Sequence, residues 1–195
     1  MYDQEKSLYL FEQAHKAKRS GDYHRAISLY KQSIQTYPDD PQLANALISL
    51  GKSYYLNKDY KKASNCYIAS ILLNVLKEPG ILQDYECMQS GKNRGSYEFQ
   101  IMMMRFTSFF GNTVRHLAHA SKDGSAFRKK AEVQIYESQI QGSNPIPDTE
   151  ASKRYDEECR NEGFDMLENA LIMCQKKSRL ELKEDVEYII SELIR

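Results

Sequence analysis

Prolines are scarce, five in 195 residues, and glycines number nine. That excludes a collagen-like or Pro/Gly-rich low-complexity chain, and a 41% hydrophobic content excludes wholesale disorder. No run of 18 apolar residues occurs, so no segment is long enough to span a bilayer as a helix. Net charge is missing too: 27 Lys and Arg balance 27 Asp and Glu. The strong basic excess that argues for nucleic acid or an anionic membrane is therefore absent, and no nucleic acid is expected as partner. Four cysteines, Cys66, Cys87, Cys159 and Cys174, form no CxxC pair and no framework, and read as reduced, mostly buried thiols. The opening residues Met1-Tyr2-Asp3-Gln4-Glu5-Lys6 lack a basic stretch followed by an apolar one, so no secretory signal is expected. The expectation is a soluble cytoplasmic protein of one domain, long enough to build a core without disulfides or metal.

Chemical motifs are equally sparse. GxSxG, HExxH, GxGxxG and the phosphate-binding GxxxxGK[ST] order do not occur, so no enzyme and no cofactor are expected. His116 and His119 stand at i, i+3 on a helical stretch, a spacing that places two imidazoles near one metal. No Asp, Glu or Cys occurs from Phe99 to Lys122 to complete a site, so they read as ordinary helix histidines and no metal is expected. Asp156-Glu157-Glu158 with Glu162 and Asp165 reads as a solvated helix face. Lys129-Lys130 and Lys176-Lys177 are too short for nucleic-acid patches.

The balanced charge is unevenly distributed. Residues 1–75 carry 10 basic and 7 acidic groups, residues 76–141 carry 9 and 7, and residues 142–195 carry 8 and 13. A mildly basic front thus precedes an acidic back.

What is present is a repeat. Laying residues 8–38 over 45–75, a shift of 37, pairs Leu10 with Leu47, Asp22 with Asp59, Tyr23 with Tyr60 and Ala26 with Ala63. Tyr30 meets Tyr67, Ser33 meets Ser70 and Ile34 meets Ile71. Gly21-Asp22-Tyr23 and Lys58-Asp59-Tyr60 break an amphipathic pattern in mid-unit. This arrangement resembles the tetratricopeptide repeat, a helix–turn–helix unit with a period of about 34 residues. The extra residues fit in Tyr37-Pro38-Asp39-Asp40-Pro41, where two prolines interrupt any continuous helix. Small residues at Ala14/Gly51 and Ala26/Ala63 allow the helices of a unit to cross closely, and Tyr30 and Tyr67 fill the adjoining space. Departures occur at Gln13, whose counterpart is Leu50, and at Ala17, whose counterpart is Tyr54.

The resemblance implies an all-α fold, a right-handed superhelical stack of antiparallel helix pairs. Repeats are placed at 7–38 and 44–75 within a single domain over 1–195, with irregular hairpins at 79–141 and 149–195. Helices are expected after Pro79 through Met88, from Tyr97 to Lys122, from Ala126 to Gln141, and from Thr149 to Lys176. A capping helix follows from Ser178, where Ser178-Arg179-Leu180-Glu181 makes a capping box. That makes about nine helices. The Tyr97–Lys122 helix is apolar almost all round, with Phe99, Met102, Met103, Phe106, Phe110, Thr113, Val114 and Leu117 on one face, and is expected to be central core. A Met-rich docking face is the alternative. In the Thr149–Lys176 helix, Gly163 stands where a repeat's second helix carries its small crossing residue.

Function is then sought on the surface of the stack. The resemblance implies that first helices line a concave groove, with Leu8, Phe11, His15 and Lys18 from the first repeat and Asn45, Ile48, Lys52 and Tyr55 from the second. Such a groove suits a protein or peptide partner with hydrophobic anchors and some acidic character. Members of the family that grip the acidic C-terminal tails of molecular chaperones carry Lys and Asn at the positions of Phe11 and His15, and Asn at that of Ser49. The chain departs at all three, so that activity is not expected. An adaptor, scaffold or assembly factor is the first reading; a dedicated bacterial chaperone for a secreted or assembled subunit is the second. An RNA- or nucleotide-linked regulator is the third, separable by the salt dependence of binding. Self-association into a homo-oligomer is left open.

Overall fold

A computed structural model describes residues 3–91, 94–121 and 149–195, and every regular element among them is an α-helix. The helix expected over 126–141 lies outside the described residues. Helices α1 (Gln4–Arg19) and α2 (Tyr23–Thr36) form the first pair, and α3 (Leu43–Leu56) and α4 (Tyr60–Lys77) the second. Asp22 and Asp59 cap α2 and α4, each accepting a hydrogen bond on its carboxylate from the backbone N–H of Arg25 (3.1 Å) or Lys62 (3.2 Å). The residue before each cap takes a left-handed backbone, Gly21 at φ +83° and Lys58 at φ +64°.

Packing within the pairs follows the small-residue pattern. Ala14, Ala26 and Ala63 are fully buried, and Tyr30 and Tyr67 nearly so. A Cβ at Gly51 would come 2.7 Å from the Tyr67 ring and 3.0 Å from the Cys66 Cβ, so α3 and α4 cross more closely than alanine permits. The first pair is also held by two buried hydroxyls. Ser7 Oγ lies 3.0 Å from Ser33 Oγ and donates to the Ser33 carbonyl, while Ser33 donates to the Ser7 carbonyl. In the second repeat the counterpart of Ser7 is Ala44, and the buried Ser70 hydroxyl has no hydrogen-bond partner among the described residues.

Four further helices complete the described fold: α5 (Gly80–Ser90), α6 (Tyr97–Ala120), α7 (Thr149–Gln175) and α8 (Arg179–Ile194). A third pair forms between α6 and α7, which are separated by 28 residues of chain. Gly163 explains their closeness: a Cβ there would overlap the Val114 carbonyl oxygen and stand 2.7 Å from Val114 Cγ1. The capping box of α8 is complete, with Ser178 Oγ accepting from the Glu181 N–H and the Glu181 carboxylate accepting from the Ser178 N–H. Instead of pairing chiefly with α7, α8 lies on α4 and reaches α2. Tyr54 donates to the Leu193 carbonyl (3.2 Å) and Gln35 to that of Ile194 (3.1 Å). The aromatic at Tyr54, where the first repeat has Ala17, is thus one of the side chains that reach the last helix. Helix α4 contacts α3, α5, α6, α7 and α8, and carries buried residues around much of its circumference.

One expectation needs correcting. The C-terminal part of α6 is core, with Phe106, Phe110, Thr113, Val114 and Leu117 buried, but its N-terminal part is not. Met103 is 39% exposed and Met104 72%, with Tyr97 and Ile101 also open to solvent, while Phe99 and Met102 are half-buried. Helix α5 has 11 residues against the 24 of α6, about 16 Å against 36 Å, and is too short to cover it.

Candidate functional site

One-turn spacing along α1 brings Phe11, His15 and Lys18 to one face, and the same spacing along α3 brings up Ile48, Lys52 and Tyr55. The floor between them is Tyr30 of α2. Phe11 meets the Tyr30 ring edge-on at 5.2 Å and stacks with the His15 imidazole at 6.4 Å. His15 Nδ1 and the Tyr30 hydroxyl share a hydrogen bond at 3.3 Å, with Ser49 also bonding the phenol. Lys18 Nζ stands 6.0 Å above the Tyr30 ring. Burial raises the Tyr30 phenol above its usual pKa, the Ser49 bond opposing it, so at neutral pH the floor is an uncharged O–H.

The walls carry positive charge that no acidic side chain pairs with among the described residues. Burial lowers the Lys18 pKa, and Lys52 and Arg19 add repulsion. His15 is likewise held below its usual value, first by burial and then by Lys18, Arg19 and Lys52. None of Lys18, Arg19 and Lys52 has a salt-bridge partner among the described residues. Cations that repel one another, Lys18 and Lys52 half-buried and Arg19 exposed, favour an anion among them, and Phe11 and Ile48 offer apolar contact alongside.

The structure therefore gathers Phe11, His15 and Lys18 around Tyr30, with Lys52 close enough to repel His15 and Lys18. Leu8, 60% exposed, belongs to the first turns of α1. Asn45 is exposed in the first turn of α3, donating to the Gln42 side chain at 2.6 Å. Tyr55 is engaged with α6: its hydroxyl shares a hydrogen bond with His119 Nδ1 at 3.3 Å, and the rings lie 5.9 Å apart. His116 stacks on Tyr67 at 5.6 Å, so both α6 histidines serve helix packing. Sequence reasoning missed Ser49 and Arg19 as members of the site. Arg19 was findable as the helical neighbour of His15 at i, i+4; Ser49 faces Tyr30 only through the α2–α3 crossing.

Burial pushes the Cys66 thiol far up and that of Cys174 to about 11, so both are protonated at neutral pH. No cluster of three or more potential metal ligands occurs among the described residues. No described helix is long and apolar enough to cross a membrane.

Residues 14–71 match the family model of the tetratricopeptide repeat, a stretch running from the middle of α1 to within α4. No curated protein and no solved structure matches the chain. The matched stretch contains both aspartate caps and both buried tyrosines, and over residues 14–71 the chain is similar to the tetratricopeptide repeat.

Proposed function

We propose that the chain is a protein-interaction module, an adaptor or assembly factor that holds an acidic, hydrophobically anchored segment of a partner between α1 and α3. Tetratricopeptide repeats generally mediate protein–protein interactions, which supplies the class of activity. The observation that carries the finer reading is the uncompensated group Lys18, Arg19 and Lys52 beside His15, set over a neutral tyrosine floor and next to Phe11 and Ile48. A carboxylate entering there relieves the mutual repulsion of the cations, and an apolar side chain beside it covers Phe11. With three cations involved, charge governs selectivity and encounter, and salt weakens the complex only moderately.

The test is calorimetric titration with peptides that alternate leucine or phenylalanine anchors with glutamate, against the same peptides carrying lysine. The acidic series is expected to bind, and Lys52→Glu to weaken it by about 1–3 kcal/mol with the circular dichroism spectrum unchanged. Phe11→Ala is expected to weaken it by about 1 kcal/mol or more through lost apolar contact. Equal affinity of wild type and both variants would move the binding surface elsewhere.

A further inference from the structure

Helices α7 and α8 are consecutive and joined by a short turn, yet each packs mainly on another helix, α7 on α6 and α8 on α4. They splay. Between them opens a cleft of about 510 Å³, floored by Ile68 and Leu72 of α4 and walled by Met166 and Met173 of α7 and by Tyr188 and Ile189 of α8. Met173 and Tyr188 are 57% and 68% exposed, large apolar surfaces that the fold leaves uncovered. The turn end is closed by the Lys177–Asp185 ion pair. This cleft lies among second-helix positions and the last helix, apart from the groove between α1 and α3.

From this geometry we infer that the α7–α8 cleft docks an amphipathic helix of a partner protein, apolar on one face and flanked by lysine or arginine. The helical form follows from the walls. All three surrounding elements are helices whose backbone groups are satisfied internally, so an extended segment would find no main-chain partners there. From Met166 to Met173 the wall is about 10 Å long, two turns of a docked helix. Methionines on both the wall and the rim adapt to the side chains that enter.

The charge follows from the rim. Glu162 and Asp165 stand one turn before Met166 and Asn169, and Glu181 and Glu184 one turn before Asp185 and Tyr188. Glu162, Asp165 and Glu184 have no ion-pair partner among the described residues. The cleft belongs to the part of the chain with 13 acidic against 8 basic groups. Basic flanks on an incoming helix answer that rim.

Fluorescence anisotropy with two synthetic 16-residue helical peptides provides the test. Both share a leucine face; one has lysine flanks and the other glutamate flanks. The lysine peptide is expected to bind the full chain and the glutamate peptide to bind at least tenfold more weakly. Met173→Asp and, separately, Tyr188→Asp are each expected to weaken the lysine peptide tenfold or more, although each adds negative charge; Lys52→Glu is expected to leave its affinity unchanged. Both cleft positions are exposed, and each variant is to be checked for an unchanged circular dichroism spectrum. Binding unchanged or strengthened by Met173→Asp and Tyr188→Asp would mean general attraction to an acidic surface and overturn the inference. Equal binding of the two peptides, or none, would overturn it as well. So would a wild-type dimer in sedimentation that Met173→Asp dissociates, since a second copy would then cover the cleft.

Discussion

At the scale of single residues, the two repeats act as controls for each other. Gly21 and Lys58 occupy the same place in their units and the same left-handed backbone, a conformation that costs a residue with a Cβ about 1–2 kcal/mol. Lys58→Gly should therefore stabilise the protein by about 1 kcal/mol in urea unfolding, less than the full strain because glycine is freer when unfolded. Ser33 and Ser70 form the second comparison. Ser33 is bonded to Ser7 and Ser70 is orphaned opposite Ala44, so Ser70→Ala should be neutral or stabilising by up to about 1 kcal/mol. Ser33→Ala should cost about 1 kcal/mol or more, and the same unfolding series reads both. His15 gives a pH signature. Burial and the cations Lys18, Arg19 and Lys52 keep its folded pKa below the unfolded value of about 6.5. Between those two values the unfolded chain binds the proton first, so stability falls as pH drops through 6.5 and levels off below the folded pKa. Subtracting the stability profile of His15→Gln from that of wild type isolates this slope; a flat difference would show that the imidazole does not titrate against the groove.

At the scale of helices, close crossings decide which pairs form. Gly163→Ala places a methyl group against the Val114 backbone, which no side-chain rotation relieves, and should cost about 2–4 kcal/mol by thermal or urea unfolding. Much of this level was legible in the sequence. The 37-residue register set Asp22 with Asp59 and Tyr30 with Tyr67, and these became the caps and the buried rings of two helix pairs. Ser178 and Glu181 announced their capping box, and the small crossing residue of α7 was readable at Gly163. The pairing partners were not legible, because helical periodicity shows that a face is buried without naming what buries it. Hence the exposed Met103 was unforeseen: its burial depended on the length of α5, which the apolar pattern of α6 does not encode. The groove was half legible. Phe11, His15, Lys18 and Lys52 follow from the repeat register, whereas the Ser49 hydroxyl joins Tyr30 through tertiary packing.

At the scale of the whole molecule, α8 connects parts of the chain that an open array keeps apart. In a linear repeat protein each unit touches only its neighbours and stability is close to a sum of local terms. Here α8 packs on α4 and contacts α2, and Leu182, Val186 and Leu193 are buried with the residues of the repeats. The protein should unfold in one transition, with far-UV circular dichroism and tyrosine fluorescence coincident; its 14 tyrosines and absent tryptophan make the second probe uncomplicated. Two separated steps would show that the helix pairs are independent. Mechanically, α8 is a crossbar. A row of units joined only at their seams changes pitch when a load is applied, each seam rotating a little. The seam between the two repeats is instead bridged, and turning one repeat against the other has to shear the contacts of Gln35 with Ile194 and of Tyr54 with Leu193. The separation of Phe11 from Ile48, and of Lys18 from Lys52, then behaves as a ruler of fixed length. In the proposed binding mode, a ligand whose anchors are one residue out of step would meet a stiff gauge and forfeit a contact, because the scaffold does not bend to restore it.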